Sequence, residues 1–145
     1  MLTTGLFAAV YAAAVVLGRA TRVDGSSLAL VWPAAAVGFV WLAVFWRHRA
    51  RRWTTVGVLA VVAGLVNALT GLPVSLAAPF AAANGLAAVI SCAVTAWWQD
   101  RAGGQRWRLR RPDDLAALVL ASLTGSGAAA LIGPVAVALQ SQEPL

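Results

Sequence analysis

The chain has 145 residues, 61% of them apolar, and a mean hydropathy of +0.79. A soluble domain carries about 45–50% apolar residues, so the polar residues here are too few to clothe a water-facing surface, and a soluble globular domain is excluded. Eleven basic residues, all arginine, stand against five carboxylates for a net charge of +6. In so apolar a chain that charge belongs at the edges of a bilayer, and nucleic acid is not an expected partner.

The first apolar run covers residues 2–18. Met1-Leu2-Thr3-Thr4 supplies none of the basic residues that open a signal peptide, so the run is read as a retained helix. A polar connector, 19–27, ends in Ser27, a residue type that caps helix amino termini. The second run, 28–46, carries Pro33 near its start, where a missing N–H costs least. It stops at Arg47-His48-Arg49-Ala50-Arg51-Arg52, with Trp53 immediately after.

The third run, 54–72, closes in Gly71-Leu72-Pro73, a break suited to a hairpin between antiparallel helices. The fourth, 74–98, holds Pro79 early, as a kink or a shallow start, and stops at Gln99-Asp100-Arg101. An arginine-rich loop leads to Asp113 and Asp114, carboxylates that suit a helix amino terminus. The fifth run, 114–139, contains Gly133-Pro134, which leaves its end open. Runs of this length predict an all-α polytopic bundle of about five transmembrane helices, a single integral membrane domain over residues 1–145.

Alternating spans place the segments 47–53 and 99–113 on one side and the connector 19–27 on the other. The first side holds nine of the arginines and the second only Arg19 and Arg22. Basic loops stay in the cytoplasm, so the amino terminus and both basic segments are expected there, in a bacterial inner membrane. Trp46, Trp53, Trp97, Trp98 and Trp107 mark the same boundary, and Trp32 the outer one.

Lipid removes most of the hydrophobic drive between helices, so close backbone approach matters more. Small residues recur every fourth position at Ala60, Gly64 and Ala68, and at Ala121, Gly125, Ala129 and Gly133. These stripes predict the buried faces of the third and fifth helices. Cys92, the single cysteine, is a small packing residue on this reading and excludes an internal disulfide.

Apart from Asp114 at the very start of the fifth, no Asp, Glu, Lys or Arg falls inside a predicted span, which disfavours a pump or ion-coupled transporter. The polar groups at membrane depth are Asn67, Thr70, Asn84, Ser91, Thr95, Ser122, Thr124 and Ser126. Asn67 and Asn84 stand out because an amide in hydrocarbon needs partners. They form either interhelical hydrogen bonds or, with Trp32 at the rim, a ligand site. One histidine, His48, offers neither a metal site nor a nucleophile–base pair. No catalytic residues, no metal and no cofactors are expected. The arginine clusters are expected to fix topology and bind anionic lipid headgroups, or to dock a cytoplasmic partner.

Val31-Trp32-Pro33-Ala34-Ala35-Ala36-Val37-Gly38 resembles the Trp-Pro-Ala-Ala-Gly signature of the membrane-associated sensor (MASE) family, first class. The likeness continues at Arg52-Trp53, at Asn67 with Gly71, at Ala83-Asn84-Gly85-Leu86 and at Arg111-Pro112-Asp113-Asp114-Leu115. It implies a bacterial inner-membrane sensory module joined to a histidine kinase, a diguanylate cyclase or a related output. Two departures accompany it: Ala87 stands where members often carry a glutamate, and five spans stand in place of the family's eight or so. The chain is thus expected to be the amino-terminal part of such a module, or a truncated relative. The alternative is a stand-alone membrane scaffold, or a subunit of a membrane complex with a membrane partner protein.

The topology is tested by placing single cysteines at Ser26 and Gln105 in a Cys92→Ala background. A membrane-impermeant thiol reagent applied from outside the cell is expected to label position 26 and leave position 105 unlabelled.

Overall fold

The computed structural model describes residues 2–21, 32–101 and 112–140. They form five α-helices: α1 (Leu2–Ala20), α2 (Pro33–Phe45), α3 (Arg49–Leu69), α4 (Val74–Arg101) and α5 (Pro112–Gln140). Four of them, α1, α3, α4 and α5, are long and apolar enough to cross a bilayer, the architecture of a multi-pass membrane protein. Among the described residues there is no strand, and the fold is an all-α bundle.

The helix boundaries follow local chemistry. Pro33 opens α2 behind Trp32, the N-cap residue, at the position where proline is pre-organised for helix. The thirteen residues of α2 rise about 20 Å at 1.5 Å each. That is short of the ~30 Å hydrocarbon thickness, whereas the sequence suggested a run over 28–46; residues 28–31 lie outside the described residues. At the other end, α3 begins at Arg49, not Thr54, so Arg49, Arg51, Arg52 and Trp53 belong to its first turns.

Helix α3 ends in a Schellman closure. The N–H of Leu72 donates to the Asn67 carbonyl (3.0 Å) and that of Gly71 to the Ala68 carbonyl (3.1 Å). Gly71 takes φ +88°, a conformation open to glycine without a Cβ penalty. Pro73 then turns the chain into α4. Neither internal proline ends its helix, because α4 runs through Pro79 and α5 runs through Pro134 to Gln140.

The helices run alternately up and down. Helix α1 packs on α2 and α3, and α4 lies against α2, α3 and α5. Among the described residues α5 touches α4 and no other helix. The core is drawn from the first four helices: Tyr11 and Val15, Trp41 and Leu42, Leu59 and Ala63, Ala81 and Cys92. Trp41 is fully buried and stacks on Phe7 with ring centroids 5.6 Å apart. Cys92 is buried, and its thiol donates to the Phe39 carbonyl at 3.6 Å.

The two small-residue stripes fare differently. On α5, Ala117, Ala121 and Gly125 are buried against α4, while Ala129 and Gly133 of the expected stripe are half-buried, Gly133 meeting Phe80. The hydroxyl of Ser91 donates to the Ala121 carbonyl at 2.9 Å across this interface. On α3 the buried face is Thr55, Leu59, Ala63 and Asn67. The expected stripe of Ala60, Gly64 and Ala68 is rotated by one residue and only half-buried. It faces α4, with Gly64 opposite Ala81. The larger residues of α3 win the core position because they fill the space between α1 and α2.

These contacts separate two glycines. A Cβ at Gly125 would run into the Ser91 hydroxyl and lie 2.7 Å from the Ala87 carbonyl oxygen, a backbone atom that cannot swing aside. A Cβ at Gly64 would lie 3.6 Å from that of Ala81, an ordinary contact. Gly125→Ala is expected to destabilise the protein in detergent by about 1–3 kcal/mol. Gly64→Ala is expected to hold or slightly raise the unfolding temperature in the same measurement.

Candidate functional site

Two ends of the bundle carry its polar chemistry. At the first, α1 continues past Gly18, so Arg19 is helical rather than part of a connector. It is 6% exposed. Its Nε donates to the Thr70 hydroxyl (2.9 Å) and its terminal nitrogen to the Thr70 carbonyl (3.0 Å). A cation over the last carbonyls of α3 complements the negative end of that helix. The contact pins the carboxyl ends of α1 and α3 together.

Trp32 sits at the same end, half-buried at the head of α2. Its ring lies so close to Gly18 that a Cβ there would be 2.6 Å from Cε3. Its Nε1–H donates to Asn84 Oδ1 at 2.8 Å, joining α2 to α4. Of the three residues singled out from the sequence, two are therefore in direct contact. Asn67 stands apart: it is 2% exposed on the core face of α3. Its backbone carbonyl accepts from Thr70 and Leu72. Among the described residues its amide nitrogen has no partner.

From Trp32 a groove of about 1080 Å³ runs along the bundle between α2, α4 and α5. Helices α2 and α5 form its walls without touching each other, so it opens sideways towards lipid. Ala36 and Val40 line the α2 wall, Ser122 and Ser126 the α5 wall. The floor is α4, with Ala87, Ser91, Thr95 and Gln99 one helical turn apart. Ala87 leaves this floor apolar at the end nearest Trp32.

At the far end the groove adjoins a second cavity of about 700 Å³. Ala43, Val44, Thr95 and Gln99 line both. Here the lining turns polar: Arg47, His48 and Arg52 line it together with Asp100, the one carboxylate of that wall among the described residues. The guanidinium of Arg52 stacks 4.8 Å from Trp46 and 5.3 Å from Trp53, and that of Arg101 lies 4.1 Å over Trp97. Such cation–π contacts let an arginine remain beside hydrocarbon while its free N–H groups reach headgroups.

Thr95 is the residue that the sequence listed without nominating. It is 6% exposed, and its hydroxyl has no partner among the described residues. Thr54, Thr70 and Thr124 each donate to the carbonyl four residues back, as helical threonines do. Thr95 does not. Its signal was the polar stripe Ser91, Thr95, Gln99 on α4 facing Ser122 and Ser126 on α5. Among the described residues no group of three or more His, Cys, Asp or Glu side chains gathers for a metal.

Compared with models of known protein families, with curated proteins and with solved structures, the chain matches none. The site is therefore read from its own geometry.

The Trp32–Asn84 bond is open to a double-mutant cycle using Trp32→Phe and Asn84→Leu. Interhelical hydrogen bonds in membranes contribute about 0.6–2 kcal/mol, and the coupling energy from unfolding in detergent is expected in that range. A coupling of zero would mean that the bond does not hold α2 to α4.

Proposed function

We propose that the protein is a sensory membrane module, in which occupation of the α2–α4–α5 groove changes the angle between α5 and the other four helices. The observation that carries this reading is that, among the described residues, α5 rests on α4 alone while a groove separates it from α2. A ligand in that groove touches both walls. It therefore binds two arrangements of α5 with different affinity, which is the condition for shifting their populations. Trp32 and Asn84 are the recognition residues at one end of the groove, and Asn67 is a structural amide of the core. The resemblance of the Trp32-Pro33 segment and the Asn84 segment to the membrane-associated sensor family supports the same role.

The cell surface of the module follows from charge. Arg47, Arg49, Arg51, Arg52 and Arg101 lie with Trp46, Trp53 and Trp97 at one end, and Arg19 at the other is engaged with Thr70. On the positive-inside rule the arginine-rich end faces the cytoplasm of a bacterial cell, where a signalling output receives the movement. A scaffold or complex subunit is the second reading. The outer face of α5, with Leu115, Val119, Leu123 and Leu131 exposed, favours it, since that face suits another membrane helix as well as lipid.

Spin labels at Val40 on α2 and Leu123 on α5, both exposed, test the sensory reading. Their separation in liposomes is expected to show two populations whose ratio changes with bilayer composition. A single distance, the same in every bilayer, would sink it. Co-purification with a stoichiometric membrane protein, and no signalling output, would establish the scaffold instead.

A further inference from the structure

We propose that the groove holds one anionic phospholipid, its phosphate among Arg47, His48 and Arg52 and an acyl chain laid along α4 towards Trp32. This names the ligand class of the groove. It rests on the groove as a binding site, while binding itself is measured without any signalling readout.

Four observations converge on that occupant. The two cavities share Ala43, Val44, Thr95 and Gln99, so a polar chamber and an apolar channel adjoin along these residues. Among the described residues the polar chamber carries two arginines against the single carboxylate of Asp100, a net positive lining even with His48 neutral. Arg52 Nε is buried without a partner among the described residues. A phosphate in the chamber answers the guanidinium groups of Arg47 and Arg52, through the charge-assisted bonds that guanidinium groups make with phosphate.

Thr95 gives the register. It lines both cavities, and its hydroxyl has no partner among the described residues. A diacyl lipid places its ester carbonyls there, between head and tails. A free inorganic anion would leave this hydroxyl and the channel empty, and a zwitterionic lipid would bring a choline cation into the positive chamber of Arg47 and Arg52.

Length agrees. The channel follows α2 for about 20 Å at 1.5 Å per residue. One leaflet's hydrocarbon is about 15 Å deep, half of ~30 Å, so the groove takes an acyl chain along its whole depth. Its lateral opening between α2 and α5 admits the lipid from the bilayer without desolvating the headgroup first.

The test uses the full chain in detergent micelles, titrated with dioleoyl-phosphatidylglycerol, dioleoyl-phosphatidylcholine and oleate, with bound species resolved by native mass spectrometry. Phosphatidylglycerol is expected to bind at least about tenfold more tightly than phosphatidylcholine, and Arg52→Gln to remove that preference, as expected for one charged hydrogen bond. Thr95→Val keeps shape and loses the hydroxyl. As a purely structural change it should leave lipid affinity alone, because the hydroxyl it removes has no protein partner. The proposal requires it to weaken phosphatidylglycerol several-fold with the unfolding temperature unchanged or raised. Ala36→Phe, at an exposed position on the channel wall, is expected to block binding while the protein still folds.

Equal affinity for the two phospholipids would overturn the proposal. So would wild-type binding by both Thr95→Val and Ala36→Phe, and so would binding of oleate without phosphatidylglycerol, which would assign the groove to a fatty acid. Lipid binding with a fixed α2–α5 distance would keep the site and remove the sensory role. Two distance populations without lipid binding would do the reverse.

Discussion

The close approach of α5 to α4 at Gly125 is the constraint on which the rest depends. Within a bilayer, leucine gains nothing by leaving lipid for protein, so a helix is held by packing and by polar contacts at short range. At Gly125 the absent side chain lets the α5 backbone sit against the Ala87 carbonyl and Ser91. Ser91 then spends its hydroxyl on the Ala121 carbonyl across the same seam. Since this is the only face by which α5 is attached among the described residues, its position also fixes the groove. Moving α5 towards α2 would close the channel, and moving it away would expose the floor of α4.

The arginine-rich end is organised by a conflict. Three arginines occupy the first turns of α3, where the helix dipole repels cations. The indole rings of Trp46 and Trp53 offset part of that repulsion, and Asp100 approaches from α4. What remains is uncompensated positive charge beside a cavity, with a partnerless buried nitrogen on Arg52. At the opposite end the same residue type is stabilising. Arg19 lies over the carboxyl end of α3, where the dipole attracts it. One side chain thus serves as a fastener at one end of the bundle and as a poised contact at the other.

The fold class was legible because long apolar runs and their breaks are coded locally. Pro33, Gly71 and Pro73 each mark a boundary that the backbone observes. The α5 stripe could also be read, because only one helix packs on α5 and its small residues had a single face to choose. The α3 stripe could not, since α3 has neighbours on several sides and its core position went to Leu59 and Ala63. The hydrogen bond between Trp32 and Asn84 was within reach as a pair of polar residues at one depth. Thr95 was not: a helical threonine normally satisfies itself, and only the folded chain shows one that fails to.

The attachment of α5 also bears on how the protein is assembled. Among the described residues every helix contact that α5 makes is with α4, just before it in the chain, so the α4–α5 hairpin closes without α1, α2 or α3. Contacts local in sequence form fastest, and domains synthesised from the amino terminus fold in that order. The first four helices therefore complete the core before α5 enters the membrane, and α5 docks onto that surface. A helix that docks after the core and is held by one seam is also one easily traded between two copies of the same chain.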